Sequence, residues 1–253
     1  GMAMLYSSGT TGRPKGIIRP LLHTSPDELH PLFAFLSNLW QYREDMIYLS
    51  PAPLYHSAPQ AAVNLAIRKG GTVIIMERFD PVEYLSLIEQ YSATHTQLVP
   101  TMFSRMLKLP VEERERFDRS SLEIAIHAAA PCPVQVKKDM IEWWGPIIHE
   151  YYGATEGLGF SACNSQEWLA HKGTVGKIVL GEVFVADDEM NEMPAGVPGT
   201  LWFKSGTEFQ YHNDPDKTAE STSGDGTMTT VNDVGYVDED NFLYLTDRKT
   251  FMI

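Results

Sequence analysis

From Met2 to about Cys163, short apolar runs alternate with amphipathic segments in a strand–helix–strand rhythm. Few architectures accept that rhythm. A crossover between parallel strands consumes a dozen or more residues and lays a helix over the sheet, so repeated crossovers build a largely parallel sheet covered on both faces. Met2 to Tyr6 reads as a strand running into a Gly/Ser/Thr loop. Ser25 and Pro26 offer N-cap and first-turn signals for a helix from Asp27 to about Trp40. Further strands are expected at Met46 to Leu49, Thr72 to Met76, Gln97 to Val99, Leu122 to Ile126 and Ile147 to Tyr151. Helices are expected at Ser57 to Arg68, from Asp80-Pro81 onward, at Pro100 to about Lys108 and at Pro133 to Trp144.

Beyond about Gly173 the texture changes. Glycine and proline become frequent, helical periodicity fades, and short β-type runs appear at Val183 to Val185, Thr200 to Phe203, Gly235 to Val237 and Phe242 to Leu245. The expected fold class is therefore α/β: a mostly parallel sheet with flanking helices, followed by a small antiparallel, β-barrel-like subdomain. The boundary is placed between Cys163 and Gly173, which divides the chain into residues 1–25, 26–168 and 169–253.

Composition narrows the class. The 253 residues are 43% hydrophobic and carry 20 Lys and Arg against 33 Asp and Glu, a net charge of −13. That balance excludes nucleic-acid binding through overall charge, though not a local basic pocket. No run approaches the roughly 20 apolar residues of a membrane-spanning helix, and no secretory leader opens the sequence. Two cysteines, Cys132 and Cys163, argue against a disulfide framework and fit a cytoplasmic, reducing compartment. Both are read as buried thiols. Nothing in the pattern bears on oligomeric state.

The sharpest motif is YSSGTTGRPKG, Tyr6 to Gly16, directly after a predicted strand. Glycines turn backbone N–H groups toward an anion, the hydroxyls add donors, and Lys15 adds a point charge. The loop is not the G-x-x-x-x-G-K-[ST] motif of P-loop NTPases, because Pro14 separates Arg13 from Lys15 and Gly16 stands where a magnesium-binding hydroxyl would be. Two further motifs follow: YYGATEG, Tyr151 to Gly157, and NDVGYVDEDNFLYLTDRK, Asn232 to Lys249. On spacing alone Tyr152 reads as a core aromatic, Glu156 as a loop acid, and Asp233 and Arg248 as surface charges.

Taken together, in this order and at these separations, the three motifs resemble those of the adenylate-forming superfamily of acyl- and aryl-CoA synthetases, luciferases and peptide-synthetase adenylation domains. The resemblance covers essentially the whole chain. It implies attack of a carboxylate on the α-phosphorus of ATP with release of pyrophosphate, then displacement of AMP by a thiol, usually coenzyme A. It also implies a magnesium ion and a small carboxylic acid as partners. Metal, backbone N–H groups and lysine would offset the repulsion between the carboxylate and the polyphosphate.

By the same resemblance Ser7, Ser8, Gly9, Thr10, Thr11, Gly12 and Lys15 belong to a loop over the β- and γ-phosphates. Thr155 is implied as the α-phosphate hydroxyl and Glu156 as the magnesium ligand, a hard oxygen donor suited to that ion. Tyr152, between Tyr151 and Gly153, is implied as the adenine-stacking aromatic. Asp233 would receive the ribose hydroxyls and Arg248 would make a second ribose or phosphate contact. HAAAPCP, His127 to Pro133, resembles the turn whose backbone at Ala129, Ala130 and Pro131 seats adenine and the acyl carboxylate. His127 itself is read either as a core histidine or as a ligand-facing one. PLYHSAP, Pro53 to Pro59, resembles a segment flanking the acyl pocket, which makes His56 a gate or wall residue. That segment lacks the Asp usual in amino-acid-activating members, which favours a plain carboxylic acid.

Two departures stand out: Asn232 and Ala128 occupy positions where the family usually has glycine. The superfamily's enzymes also extend well beyond both ends of this sequence, with most of a first α/β subdomain upstream and a small domain bearing the adenylation lysine downstream. The expectation is therefore a core piece of the large N-terminal domain, in which residues 1–25 are what remains of the first subdomain. Such a piece would bind ATP or AMP and make acyl-adenylate poorly. The HAAAPCP segment and the DRKTFMI ending look closer to fatty-acyl and bile-acid-type CoA ligases. The alternatives are an adenylating enzyme with an acceptor other than coenzyme A and a noncatalytic nucleotide-binding module.

Overall fold

The computed structural model describes residues 4–7, 14–21, 23, 25, 27–204 and 208–248. They form two compact units: an α/β unit within Thr24–Glu150 and Asn164–Leu169, and a β-rich unit from the described parts of Gly1–His23, Tyr151–Cys163 and Ala170–Ile253. The β-rich unit begins with an antiparallel hairpin, β1 (Leu5–Ser7) and β2 (Lys15–Ile18), in which Leu5 lies opposite Ile17 and Ser7 opposite Lys15.

In the α/β unit, α1 (Pro31–Leu39) leads into β3 (Ile47–Ser50), α2 (Ser57–Arg68), β4 (Thr72–Ile75), α3 (Pro81–Tyr91) and β5 (His95–Leu98). There follow α4 (Pro100–Leu107), the short α5 (Val111–Arg114), β6 (Ile124–His127), α6 (Val134–Trp144) and the start of β7 (Ile148–Gly153). The strands run in the order β7-β6-β5-β3-β4, all parallel, as the alternating pattern requires. Every residue of β5 and β6 is buried, the signature of strands covered on both faces. Asp80 caps α3 by accepting the N–H groups of Val82 and Glu83 at 3.0 Å, with Pro81 in the first turn, as the sequence predicts.

One helix departs from expectation. α1 starts at Pro31 instead of Asp27, because a proline four residues into a helix removes a hydrogen-bond donor and clashes with the preceding turn. Pro31 instead takes the first turn, where no donor is needed, and His30 caps it, its Nδ1 accepting the Leu32 N–H at 3.1 Å.

The β-rich unit continues with β8 (Phe160–Cys163) and, after α7 (Ser165–Ala170), with β9 (Gly176–Leu180), β10 (Glu182–Ala186) and β11 (Gly199–Lys204). β12 (Gln210–Tyr211), α8 (Pro215–Glu220), β13 (Asp233–Val237) and β14 (Phe242–Arg248) complete it. Its larger sheet has the antiparallel order β10-β11-β13-β14-β9-β8, and a smaller one is built as β1-β2-β12. Ile17 from the small sheet packs in one core with Leu158, Val185, Leu201, Phe203, Tyr211 and Leu243. β2, β8, α7, β9, β12 and α8 are absent from the sequence expectation. Each is short, and α7 falls where the change of texture suggests a boundary.

A buried ion pair ties three elements of the α/β unit together. Lys137 on α6 is fully buried and its Nζ lies 2.5 Å from Glu150 Oε2 on β7. The ammonium also sits 4.8 Å from the ring centroid of Trp168 on α7, and Ser165 of that helix exchanges hydrogen bonds with both backbone polar groups of Ile148. Glu150 Oε2 is 3.5 Å from Nε2 of the buried His127, an electrostatic contact rather than a hydrogen bond. Burial pushes the Glu150 carboxyl up, against the pull of Lys137. Cys163 is buried as expected, whereas Cys132 is half-buried, with its thiol pushed up to about 12 by burial and by Glu150.

Breaking that pair from one side strands a charge in the interior. Lys137→Met is expected to cost about 3–5 kcal/mol, and Lys137→Met with Glu150→Leu to recover most of it, in urea unfolding. A single-variant loss under about 1 kcal/mol would show the pair to be solvated. Burial also holds the imidazoles of His127, His95 and His149 below 6.5, His127 furthest, with Lys137 adding to the effect on His127 and His149. The unfolded chain then takes up protons below about pH 6.5 that the folded chain does not, so stability falls as pH drops. The slope is about 1.4 kcal/mol per pH unit for a histidine that stays neutral when folded. Urea midpoints measured from pH 7.5 to 5 should decline, and less steeply in His127→Gln.

Candidate functional site

The site grows from the alternation of β2. Lys15, Ile17 and Arg19 share one side of the extended chain. Ile17 is buried in the core of the β-rich unit, and this directs its two cationic neighbours to the same side. β12 pairs antiparallel to β2 with Tyr211 opposite Ile17. The Lys15 ammonium sits 5.4 Å from the Tyr211 ring centroid, close enough for a cation–π contact. Of the loop residues named from the sequence, Ser8, Gly9, Thr10, Thr11 and Gly12 lie outside the described residues, and Ser7 is placed by its backbone opposite Lys15.

The end of β7 supplies the second wall. Tyr151 stacks on Phe160 with ring centroids 4.9 Å apart, and Tyr152 leans on Phe203 at 6.2 Å. Gly153 then leads into a turn in which the Gly157 N–H bonds the Ala154 carbonyl, with Gly157 at φ 79°. The turn presents Thr155 and Glu156. Glu156 is buried, and its Oε1 accepts a hydrogen bond from the Tyr211 hydroxyl at 2.9 Å. Arg19 Nη2 donates to the Thr155 carbonyl. Burial lowers the Arg19 pKa and the neighbouring Glu156 carboxylate opposes that shift, which places the two charges within interaction range.

The third wall is the β13–β14 hairpin. Asp233 opens β13, is buried, and its Oδ2 accepts the Tyr152 hydroxyl at 2.7 Å. Two motifs 81 residues apart in sequence are thereby in direct contact. Arg248 is the cross-strand partner of Asp233 in the register of the hairpin. A bulge between Val234 and Gly235 shapes this corner, and a Cβ on Gly235 would come within 2.2 Å of the Tyr244 carbonyl oxygen. Asn232, the departure from the family's glycine, adopts φ 63°. That is a left-handed conformation which asparagine tolerates better than any residue except glycine, so the substitution preserves the turn before Asp233.

The α/β unit carries the remaining candidates. His127 is in the core, fully buried. Ala129, Ala130 and Pro131 are exposed just beyond β6, and Ala129 has φ 76°, a strained value for an alanine. Strain of about 1–3 kcal/mol at such a residue persists only where surrounding structure holds it, commonly at ligand sites. His56 is exposed at the N-cap of α2, its ring 4.5 Å from that of Tyr55.

Arg19 and Tyr211 escaped the sequence reading. Arg19 had a weak signal, since it continues the side of β2 that carries Lys15. Tyr211 had none, because its partner Glu156 is 55 residues away and β12 is only two residues long. Among the described residues no cluster of three or more His, Cys, Asp or Glu side chains is poised to hold a metal, and no helix is long and apolar enough to cross a membrane.

Residues 2–210 match the AMP-binding enzyme family. The 4-coumarate–CoA ligase 5 of Oryza sativa subsp. japonica is 31% identical, over 98% of this chain and 47% of its own length. The amide bond synthetase McbA of Marinactinospora thermotolerans is similar in structure with a TM-score of 0.78 at 28% identity, over 97% of this chain and 48% of that one. The N-terminal domain of FACL13 from Mycobacterium tuberculosis, solved with an inhibitor bound, gives 0.80 at 27% identity, over 97% and 60%. The chain spans about half the length of the curated relatives it matches. With a family match that takes in the phosphate-loop motif and YYGATEG together, the chain belongs to the AMP-binding enzymes.

Proposed function

We propose that this chain carries the nucleotide site of an AMP-forming acid–thiol ligase, which joins a small carboxylic acid to AMP and passes the acyl group to coenzyme A. The observation that carries the reading is the Tyr152–Asp233 hydrogen bond, together with a buried Glu156 held by Tyr211. It joins the aromatic and the acid that the resemblance assigns to adenine and ribose. In this reading Asp233, an acceptor-only carboxylate, receives ribose hydroxyls, with Arg248 opposite it as a second contact. Lys15 contacts the β- and γ-phosphates, and Thr155 the α-phosphate. The resemblance further assigns Ala129, Ala130 and Pro131 to seating adenine and the acyl carboxylate, and His56 to the flank of the acyl pocket.

The residues present suit magnesium. Glu156 offers a hard oxygen donor, and Mg2+ is commonly held by one or two carboxylates, with substrate phosphates and water completing the shell, rather than by an all-protein cage. When bound, the ion would neutralise charge on the polyphosphate. The protein's own part is to keep the Glu156 carboxylate oriented through Tyr211 and to hold Lys15 above the same ring. A second reading, transfer to an amine instead of a thiol, is favoured by the likeness to an amide bond synthetase. Supplying coenzyme A or a simple amine to an active preparation and identifying the acyl product separates the two.

The test of the site is binding. ATP and AMP should bind the chain, measured by calorimetry, and Asp233→Asn should weaken both about 10- to 100-fold, the loss of a charge-assisted hydrogen bond. Glu156→Gln should abolish the gain in ATP affinity that Mg2+ produces without weakening metal-free binding. Failure of ATP and AMP to bind, or indifference to both substitutions, would remove the nucleotide assignment.

A further inference from the structure

We propose that Arg19 is a second cationic phosphate contact of this site, positioned by the backbone of the very turn that carries Thr155 and Glu156. The inference rests on the nucleotide reading above and adds a residue to it. Arg19 lies just past β2, on the side of the chain that carries Lys15. Its Nη2 donates to the Thr155 carbonyl, which fixes the guanidinium beside the turn. The remaining donors of its planar fork have no acceptor among the described residues. Among the described residues the carboxylate that interacts with it is that of Glu156, whose Oε1 is already engaged by Tyr211.

This arrangement fits a polyphosphate better than a purely structural role. A guanidinium matches phosphate oxygens through paired N–H donors and keeps its charge at all accessible pH values. Lys15 and Arg19 both sit next to Tyr211 or its partner Glu156, so two cations converge where a polyphosphate and a divalent ion would meet. Without metal the arginine offsets the Glu156 charge that would otherwise repel the ligand. With metal bound to Glu156 that contribution shrinks. Arg19 therefore matters most when magnesium is scarce.

The experiment compares ATP with adenosine, in EDTA and in saturating Mg2+, on the wild-type chain and on Arg19→Gln, which keeps a donor for the Thr155 carbonyl but no charge. In EDTA, ATP affinity should fall about tenfold in Arg19→Gln, with a smaller loss in Mg2+ and none for adenosine. Arg19→Lys should recover most of the loss. Unchanged ATP affinity, or equal losses for ATP and adenosine, would overturn the proposal and leave Arg19 a scaffold for the turn. Should Arg19→Gln not fold, Arg19→Met takes its place: a loss of about tenfold for ATP in EDTA with adenosine unchanged supports the contact, and any other pattern refutes it. A wild-type chain that binds adenosine and ATP equally defeats this inference together with the phosphate roles of Lys15 and Thr155, whereas one that binds neither defeats the whole nucleotide reading.

Discussion

A lysine ammonium and a glutamate carboxylate, buried 2.5 Å apart, set the terms for the α/β unit. Lys137 reaches from α6 to Glu150 at the point where β7 is about to enter the YYGATEG segment. Desolvating both charges is costly, and only the mutual contact, with the Trp168 ring centroid 4.8 Å from the ammonium, makes the burial tolerable. Helix α6, strand β7 and the Asn164–Leu169 segment are consequently locked in a single register. An apolar core could slide by small increments, whereas a buried charge pair has one geometry that satisfies both partners.

In the β-rich unit the comparable constraint is strand pairing. β12 contributes only two residues, yet its register against β2 places Tyr211 where its hydroxyl reaches Glu156 and its ring lies beneath Lys15. The β13–β14 hairpin does the same for Asp233, with a bulge at Gly235 and a left-handed Asn232 turning the carboxylate toward Tyr152. The polar groups of the site are thus held by backbone ladders and by one shared apolar core, which also receives Leu158, Phe203 and Ile17. Orientation of this kind lets a site meet a polyanion without first reorganising its dipoles.

Elements with strong local signals were legible. α2 spans Ser57–Arg68 as the periodicity indicates, and α3 begins where Asp80-Pro81 says it should. α1 begins at Pro31 and not at Asp27 because Ser25-Pro26 and His30-Pro31 give competing start signals, and only the second leaves no proline inside the helix. The short elements between Phe160 and Leu180 carry too few residues for a period to be seen, and their stability comes from partners distant in sequence.

The sequence by itself determined the α/β class, the antiparallel tail, the family and the identity of the motif residues, because periodicity, turn chemistry and the order of motifs are written directly along the chain. Only the tertiary structure decided which of those residues touch. It paired Tyr152 with Asp233 and sent His127 into the core beside Glu150. It also drew in Arg19 and Tyr211, which no motif names. The physical reason is that a hydrogen bond between residues 55 or 81 positions apart is specified by strand register and core packing, which depend on the whole fold and leave no trace in a short stretch of sequence.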